Sequence, residues 1–271
     1  MVFCSKCGAN LPEDARFCPS CGSPVGGTSE KPSETVKTFK VTGKPQVFVI
    51  NTAPGLVEVE RGSEGEVAVN LQLKAPDDMK CDVSQDGNVI HVSCRPKMNP
   101  FLGWPLYFFS GGPKANITVS VPNEADLDIE NHFERTTVTG VKGTIKVESF
   151  TAPLKIRDCE GMIAARTKTG EVGMENVVGT VSVRNATGSI RFSGSLSKGE
   201  NWFSTKTGNI ELELRGEQDL AVEASSRLGK ITCTPELIDA HYEHGQHVGR
   251  IGSGAGKLIL ETKTGNISLR H

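Results

Sequence analysis

The amino-acid sequence predicts a mainly β protein, a β-solenoid-like stack of short strands with a small cysteine-rich module at its N-terminus. Three observations lead there. Small residues recur every nine positions, from Gly143 through Ala152, Gly161, Gly170 and Gly179 to Gly188. The second and fourth positions after each are apolar, as in Ile145 and Val147 or Val181 and Val183. Such period-two alternation, closed by a glycine turn, marks a half-buried strand. Finally, Thr-Gly or Thr-Ala precedes every second strand, at Thr151, Thr169 and Thr187, and returns at Thr207 and Thr264. The repeating unit is therefore eighteen residues, two strands and two unlike corners.

Two architectures satisfy that unit. In a solenoid, residues eighteen apart stack about 4.8 Å from one another. In a meander, nine-residue neighbours pair and the corners are the two ends of one sheet. Outward charges favour the solenoid. A separation of eighteen sets Arg157 beside Glu175 and Glu148 beside Arg166, and opposite charges so placed contribute roughly 0.2–1 kcal/mol each. Arg166 beside Arg184 is the like-charged exception.

At the N-terminus, Cys4 and Cys7 form one Cys-x2-Cys knuckle, and Cys18 and Cys21 form a second. Gly8 and Gly22 follow them and can take the positive φ that turns backbone N–H groups toward thiolates. Four cysteines so spaced can surround one tetrahedral Zn²⁺ with no open position, a structural rather than a catalytic site. Two disulfides are the alternative. The stretch resembles the short zinc-ribbon module at the N-terminus of many bacterial and archaeal proteins. Lys6 and Arg16 are balanced by Glu13 and Asp14, so docking to a protein is expected before binding to phosphates. Residues 1–23 are thus read as the ribbon and 24–35, rich in Gly, Ser, Pro and Glu, as a flexible linker. Residues 36–271 are read as the β domain, comprising an irregular entry region (36–135) and the glycine-turn repeats (136–271).

In the entry region the expected strands are Phe39–Thr42, Gln46–Asn51, Leu56–Glu60, Val67–Leu73, Cys81–Ser84, Val89–Cys94 and Asn116–Val121. Gln85-Asp86-Gly87-Asn88 is a strong hairpin signal. Centred on Asp86-Gly87, it sets Val83 opposite Ile90 and Cys81 opposite Val92, with Cys94 diagonal to Cys81 on the same face; the two read as buried reduced thiols, with a disulfide as the alternative. The stretch from Met98 to Pro113 carries a third of the chain's aromatics, Phe101, Trp104, Tyr107, Phe108 and Phe109, between prolines and without a charge. It reads as a plug over an end of the scaffold or as an exposed anchor for a partner.

Beyond Phe192 the period loosens, with strands expected at Ile210–Leu214, Ile231–Cys233, Leu258–Leu260 and Ile267–Leu269. Between them, residues 234–255 read as a polar insertion with room for a short helix. His241, His244 and His247 fall there beside Glu243. Three imidazoles could bind a second metal, but their spacing does not match a metal-binding helix, and a solvated loop is the plainer reading. Asn116, Asn185 and Asn266 lie in glycosylation-type triplets and read as turn chemistry.

A formal charge of −2 argues against a general nucleic-acid or anionic-membrane surface. No apolar run approaches the ~20 residues of a spanning helix. A cytoplasmic protein is expected, with an envelope-associated one as the alternative.

The turns Thr167-Lys-Thr-Gly-Glu-Val, Thr205-Lys-Thr-Gly-Asn-Ile and Thr262-Lys-Thr-Gly-Asn-Ile, with Thr118-Val-Ser-Val-Pro and Leu127-Asp-Ile before them, resemble the bacterial "putative adhesin" family, also called the toastrack domain. The resemblance extends over 36–271. It implies a solenoid-like build and a role in envelope-stress or surface contexts without an enzymatic site. No nucleotide loop or catalytic dyad spacing stands out in the sequence. The function expected is a non-enzymatic binding or scaffold protein with a protein partner or a second copy of itself. A regulatory or nucleic-acid-binding protein acting through the ribbon is the alternative.

Overall fold

The computed structural model describes residues 2–4, 7–12, 18–22, 33–97, 112–234 and 236–271. The chain divides into two compact units, Met1–Pro32 and Ser33–His271. In the first, β1 (Val2–Phe3) pairs antiparallel with β2 (Asn10–Leu11) over a core of Cys4, Leu11 and Cys18.

The second unit opens with β3 (Ser33–Lys40), β4 (Gln46–Asn51), β5 (Val57–Arg61), β6 (Glu66–Lys74), the hairpin β7 (Met79–Asp86) and β8 (Val89–Pro96), and β9 (Lys114–Val121). Coils follow as β10 (Asp126–Asn131), β11 (Thr136–Thr139), β12 (Lys142–Ser149), β13 (Leu154–Arg157), β14 (Glu160–Thr169), β15 (Val172–Thr187) and β16 (Ile190–Leu196). The last elements are β17 (Glu200–Thr207), β18 (Ile210–Leu214), β19 (Leu220–Leu228), β20 (Ile231–Cys233), the hairpin β21 (Ile238–Glu243) and β22 (Gln246–Ile251), β23 (Gly256–Thr264) and β24 (Ile267–Arg270).

These strands stack as a solenoid, not a meander. Residues eighteen apart pair in parallel: Ile145 with Ile163 and Ile163 with Val181, and Leu154 with Val172 and Val172 with Ile190. One face runs β7–β8–β4–β10–β12–β14–β15–β17–β23–β19–β22–β21, and the other β3–β6–β9–β5–β11–β13–β15–β16–β18–β24–β20. Inward side chains form unbroken columns between the faces. Val49, Ile129, Val147, Ala165, Val183, Phe203 and Leu260 make one such column, every member buried. Where the columns meet, Phe192 packs edge-on against Phe203 at 5.3 Å.

The two corners differ for physical reasons. At the Thr-Gly corner the chain of one rung runs directly over the next. Gly188 has φ 132°, and a Cβ there would lie 2.0 Å from the Gly170 carbonyl oxygen. Behind this corner runs a buried polar ladder: Asn51, Asn131, Ser149, Thr167, Asn185, Thr205, Thr262 and Ser226, in register rung by rung. The opposite corner turns through left-handed residues, Asp158 at φ 53° and Asn176 at φ 54°. These residue types tolerate that conformation best among those with side chains. Asn176 Nδ2 also donates to Asp158 Oδ1 across the rungs at 2.7 Å.

At both ends chain order departs from stack order. The rung β4–β5 lies between β8–β9 and β10–β11, and the final rung β23–β24 is inserted between β17–β18 and β19–β20. The entry region is thus built on the same coil as the repeats. Its period is hidden by this interleaving and by the antiparallel strands β3, β6 and β7.

Four expectations are corrected. Residues 234–255 contain a β-hairpin, β21–β22, antiparallel to β19 rather than a helix or loop. The β7–β8 turn centres on Gly87-Asn88, so Val83 faces Val92 and Cys81 faces Cys94. The pairing of the buried Val83 and Val92 sets this register, with Gly87 at φ 57° in the turn. That register brings the two cysteines to a Cα separation of 4.2 Å, and they are joined as a disulfide instead of standing as separate thiols. The strand expected at Phe39–Thr42 begins earlier, at Ser33, inside the stretch read as linker.

Candidate functional site

Within the first unit the cysteine sulfurs of Cys4, Cys7, Cys18 and Cys21 all lie within 4.8 Å of one another. Cys4 Sγ is 3.7 Å from Cys21 Sγ, and Cys7 Sγ is 3.6 Å from Cys18 Sγ. A tetrahedron with metal–sulfur bonds near 2.3 Å has edges of about 3.8 Å, so the four sulfurs fit a single ion. The knuckles position them: Gly8 N donates to Cys4 O at 2.8 Å and Gly22 N to Cys18 O at 2.9 Å, with φ 73° and 68° at the two glycines. The Ala9 amide donates to Cys7 Sγ and favours its thiolate. The Cys21 and Cys4 thiols outweigh it and push the Cys7 pKa up to about 12. Thiols packed this closely resist ionising together unless a cation sits among them.

The other candidates separate. His241 pairs with Glu243 at 2.9 Å, His247 lies edge-on to Tyr242 at 4.7 Å, and His244 stands at the turn between β21 and β22. Among the described residues, the cysteines are the group of metal-type ligands that converges. Phe101, Trp104, Tyr107, Phe108 and Phe109 lie outside the described residues, as do Lys6, Glu13, Asp14 and Arg16. Asn185 and Asn266 serve turns: Asn185 Nδ2 donates to Gly170 O at 2.8 Å, and Asn266 Oδ1 accepts from Lys230 N at 2.8 Å. Burial pushes the Cys159 and Cys233 thiols up, which makes them inert.

On the second face, Gly173 leaves a shallow groove of about 390 Å³, lined by Lys155, Arg157, Glu175, Arg191, Ser193 and Glu211 among others. Several of its charges pair with one another. Arg157 bridges Glu175 at 3.2 Å, Arg191 bridges both Glu171 and Glu211, and Arg215 bridges Glu213 at 3.3 Å. The predicted pairing of Arg166 with Glu148 is present at 3.7 Å. Arg184 escapes its like-charged neighbour by lying over the Trp202 ring at 4.5 Å from the centroid. The outermost strands present open edges; Val36 on β3 and Tyr242 on β21 are more than half exposed.

With this geometry in view, comparison with known proteins is direct. A zinc-ribbon domain matches residues 3–25, and Toastrack DUF4097 matches residues 134–270, just over half of the chain. The chain belongs to the toastrack family. A 32-residue stretch of this toastrack protein is 59% identical to an uncharacterized protein of Synechocystis sp., covering 12% of the chain and 10% of that relative. The chain thus spans about a tenth of the length of the curated relative it matches. Among solved structures, the toastrack chain is similar to a "putative cell adhesion protein" of Clostridium sporogenes, at 9% identity and TM-score 0.38 over 89% of this chain and 99% of that one. It is also similar to a "putative adhesin" of Bacteroides fragilis, at 13% identity and TM-score 0.37 over 87% and 96%. No helix among the described residues is long and apolar enough to cross a membrane.

Sequence reasoning missed one recurrent feature of the Thr-Gly corner, a row of cations at Lys168, Lys206, Lys263 and Arg227. The lysine inside each Thr-Lys-Thr was the available signal, but only the rung order shows that these residues share one corner.

Proposed function

We propose that this toastrack protein is a non-enzymatic binding or scaffold protein. One structural Zn²⁺ held by Cys4, Cys7, Cys18 and Cys21 folds the ribbon, and the solenoid offers its outer faces and edges to a partner in a surface- or envelope-related setting. Bound zinc supplies four metal–sulfur bonds, worth roughly 10–16 kcal/mol in such short modules. The observation that carries the reading is the division of labour along every rung. Most inward positions are filled by apolar side chains, while in the described groove Arg157 pairs with Glu175 and Arg191 with Glu211. What this architecture provides is a long regular surface with a fixed charge pattern.

The test is a pull-down from the native host with the full chain and with residues 1–32 removed, with zinc quantified on the same preparations. Close to one zinc per full-length chain is expected, with none on the shortened chain or on the Cys7→Ser/Cys18→Ser variant, and a partner retained by the solenoid. Turnover of simple esters, glycosides or phosphoesters that a single substitution abolishes would overturn the reading.

A further inference from the structure

We infer that the Thr-Gly corner of the solenoid is a binding ridge for a linear acidic polysaccharide. The inference deepens the binding role proposed above and rests on it. Lys168 on β14, Lys206 on β17, Lys263 on β23 and Arg227 on β19 occupy the same corner position of their rungs, and all four are exposed. Lys206, Lys263 and Arg227 are on successive rungs, so their stems are spaced by about 4.8 Å. Arg166 and Arg184 flank the row two residues before the corner. With Lys168 included, the cationic row extends on the order of 20 Å along the stack.

Elsewhere on the stack several cations are paired with acids. Across neighbouring rungs Lys142 meets Glu160 at 2.6 Å, Lys146 meets Asp128 at 3.1 Å and Arg157 meets Glu175 at 3.2 Å. Among the described residues, Lys206, Lys263 and Arg227 have no carboxylate within ion-pair distance. The acids nearest the ridge are already engaged. Glu148 holds Arg166, Glu261 accepts from Trp202 Nε1 at 3.1 Å, and Glu171, just past the corner, holds Arg191. Like charges set opposite one another in a sheet destabilise it. A polymer carrying one anion per monomer along the stack would relieve that repulsion at every rung.

Two further features select the polymer. Single-stranded nucleic acids are held by exposed aromatic platforms on which bases stack. Here Arg184 covers the Trp202 ring, and Lys168 lies over Phe150 at 4.1 Å. The hydroxyl-bearing residues Thr207 and Thr264 lie exposed beside the cations, in register across rungs. A row of cations edged by hydroxyls suits a polyhydroxylated chain of carboxylates.

Titration calorimetry of the full, zinc-loaded chain with alginate oligosaccharides tests this, with neutral dextran and oligo-dT as comparators, at low salt and at about 0.3 M salt. Alginate is expected to bind at low salt and weaken with added salt, while dextran does not bind. The variant Lys206→Gln/Lys263→Gln/Arg227→Gln should lose at least about tenfold in affinity and melt no lower than the parent. The control Lys142→Gln/Lys146→Gln should bind as the parent does. Absence of alginate binding by folded protein, undiminished binding by the triple variant, or tighter binding of oligo-dT would each overturn the inference. If a host partner is still captured by the triple variant, the general binding role stands while this ridge assignment falls. Depolymerisation of the alginate would instead overturn the non-enzymatic reading itself.

Discussion

Asn185 carries out, with one side chain, the task that each rung of the Thr-Gly corner requires. Its Nδ2 donates to Gly170 O at 2.8 Å and to Gly188 O at 3.0 Å, and its Oδ1 accepts from Thr187 N at 3.2 Å. In neighbouring rungs a threonine meets part of the same need: Thr205 Oγ1 donates to Gly188 O and Thr262 Oγ1 to Gly208 O, each at 3.1 Å. Asn185→Ala would leave the part-buried Gly170 carbonyl without its side-chain donor and should cost about 1–3 kcal/mol in urea unfolding. Asn185→Thr should cost less, since threonine already fills the position on adjacent rungs. Gly188→Ala should be worse than either, because its Cβ would strike the Gly170 carbonyl oxygen at 2.0 Å at a φ of 132°. If Gly188→Ala unfolds at the parent's urea midpoint, the close rung-on-rung approach described for this corner is wrong. Thr-x-Thr-Gly was readable in the sequence as a turn. That its first threonine belongs to a buried ladder was not, because the ladder's members come from distant segments and are chemically mixed.

Among the elements, β23 and β24 hold a position that chain order conceals. They are the last strands made and yet form an interior rung, pairing with β17 and β18 on one side and β19 and β20 on the other. Ending the chain after Ala255 should therefore do more than shorten the stack. It would strand β19, β20 and the β21–β22 hairpin, and amide exchange should show protection lost across 220–251 while 142–196 stays protected. Retained protection in 220–251 would mean that β19 can dock directly on β17. At the opposite end, the Cys81–Cys94 bond ties the terminal strand β7 to β8. Closing a loop of this size, with a sequence separation of 13, is worth about 3 kcal/mol in the chain-entropy account. A reductant should accordingly speed exchange in 79–86 before any other part of the stack. The hairpin was evident from Gln-Asp-Gly-Asn, but its register was misplaced by two residues. Either glycine-containing pair could turn, and the packing of Val83 against Val92 decides between them.

For the molecule as a whole, two compact units with different sources of stability should respond to different agents. Among the ribbon's described residues the buried core is Cys4, Leu11 and Cys18, so its order is expected to depend on a metal. The solenoid has a continuous apolar interior from Val41 to Leu269. Chelation is expected to abolish the ribbon's ordered amide signals while leaving the solenoid's melting temperature unchanged. A fall in that melting temperature would show that the metal supports both units. Because each rung touches only its neighbours, stability in the solenoid is close to a sum of local terms. Substitutions on rungs far apart should then add, which double variants can check.

Periodicity, cysteine spacing and the Thr-Gly signal settled, from the sequence alone, that the chain is β, that its unit is eighteen residues and that four thiols gather at one point. These are local properties, set by alternation, turn conformation and short-range spacing. Only the tertiary structure decided which rung lies beside which, that the irregular entry region shares the same coil, that 238–251 is a hairpin, and that four cations line one corner. Stack order depends on which apolar edges are left open when each strand arrives. That is a property of the assembled neighbours and leaves no periodic mark on the chain.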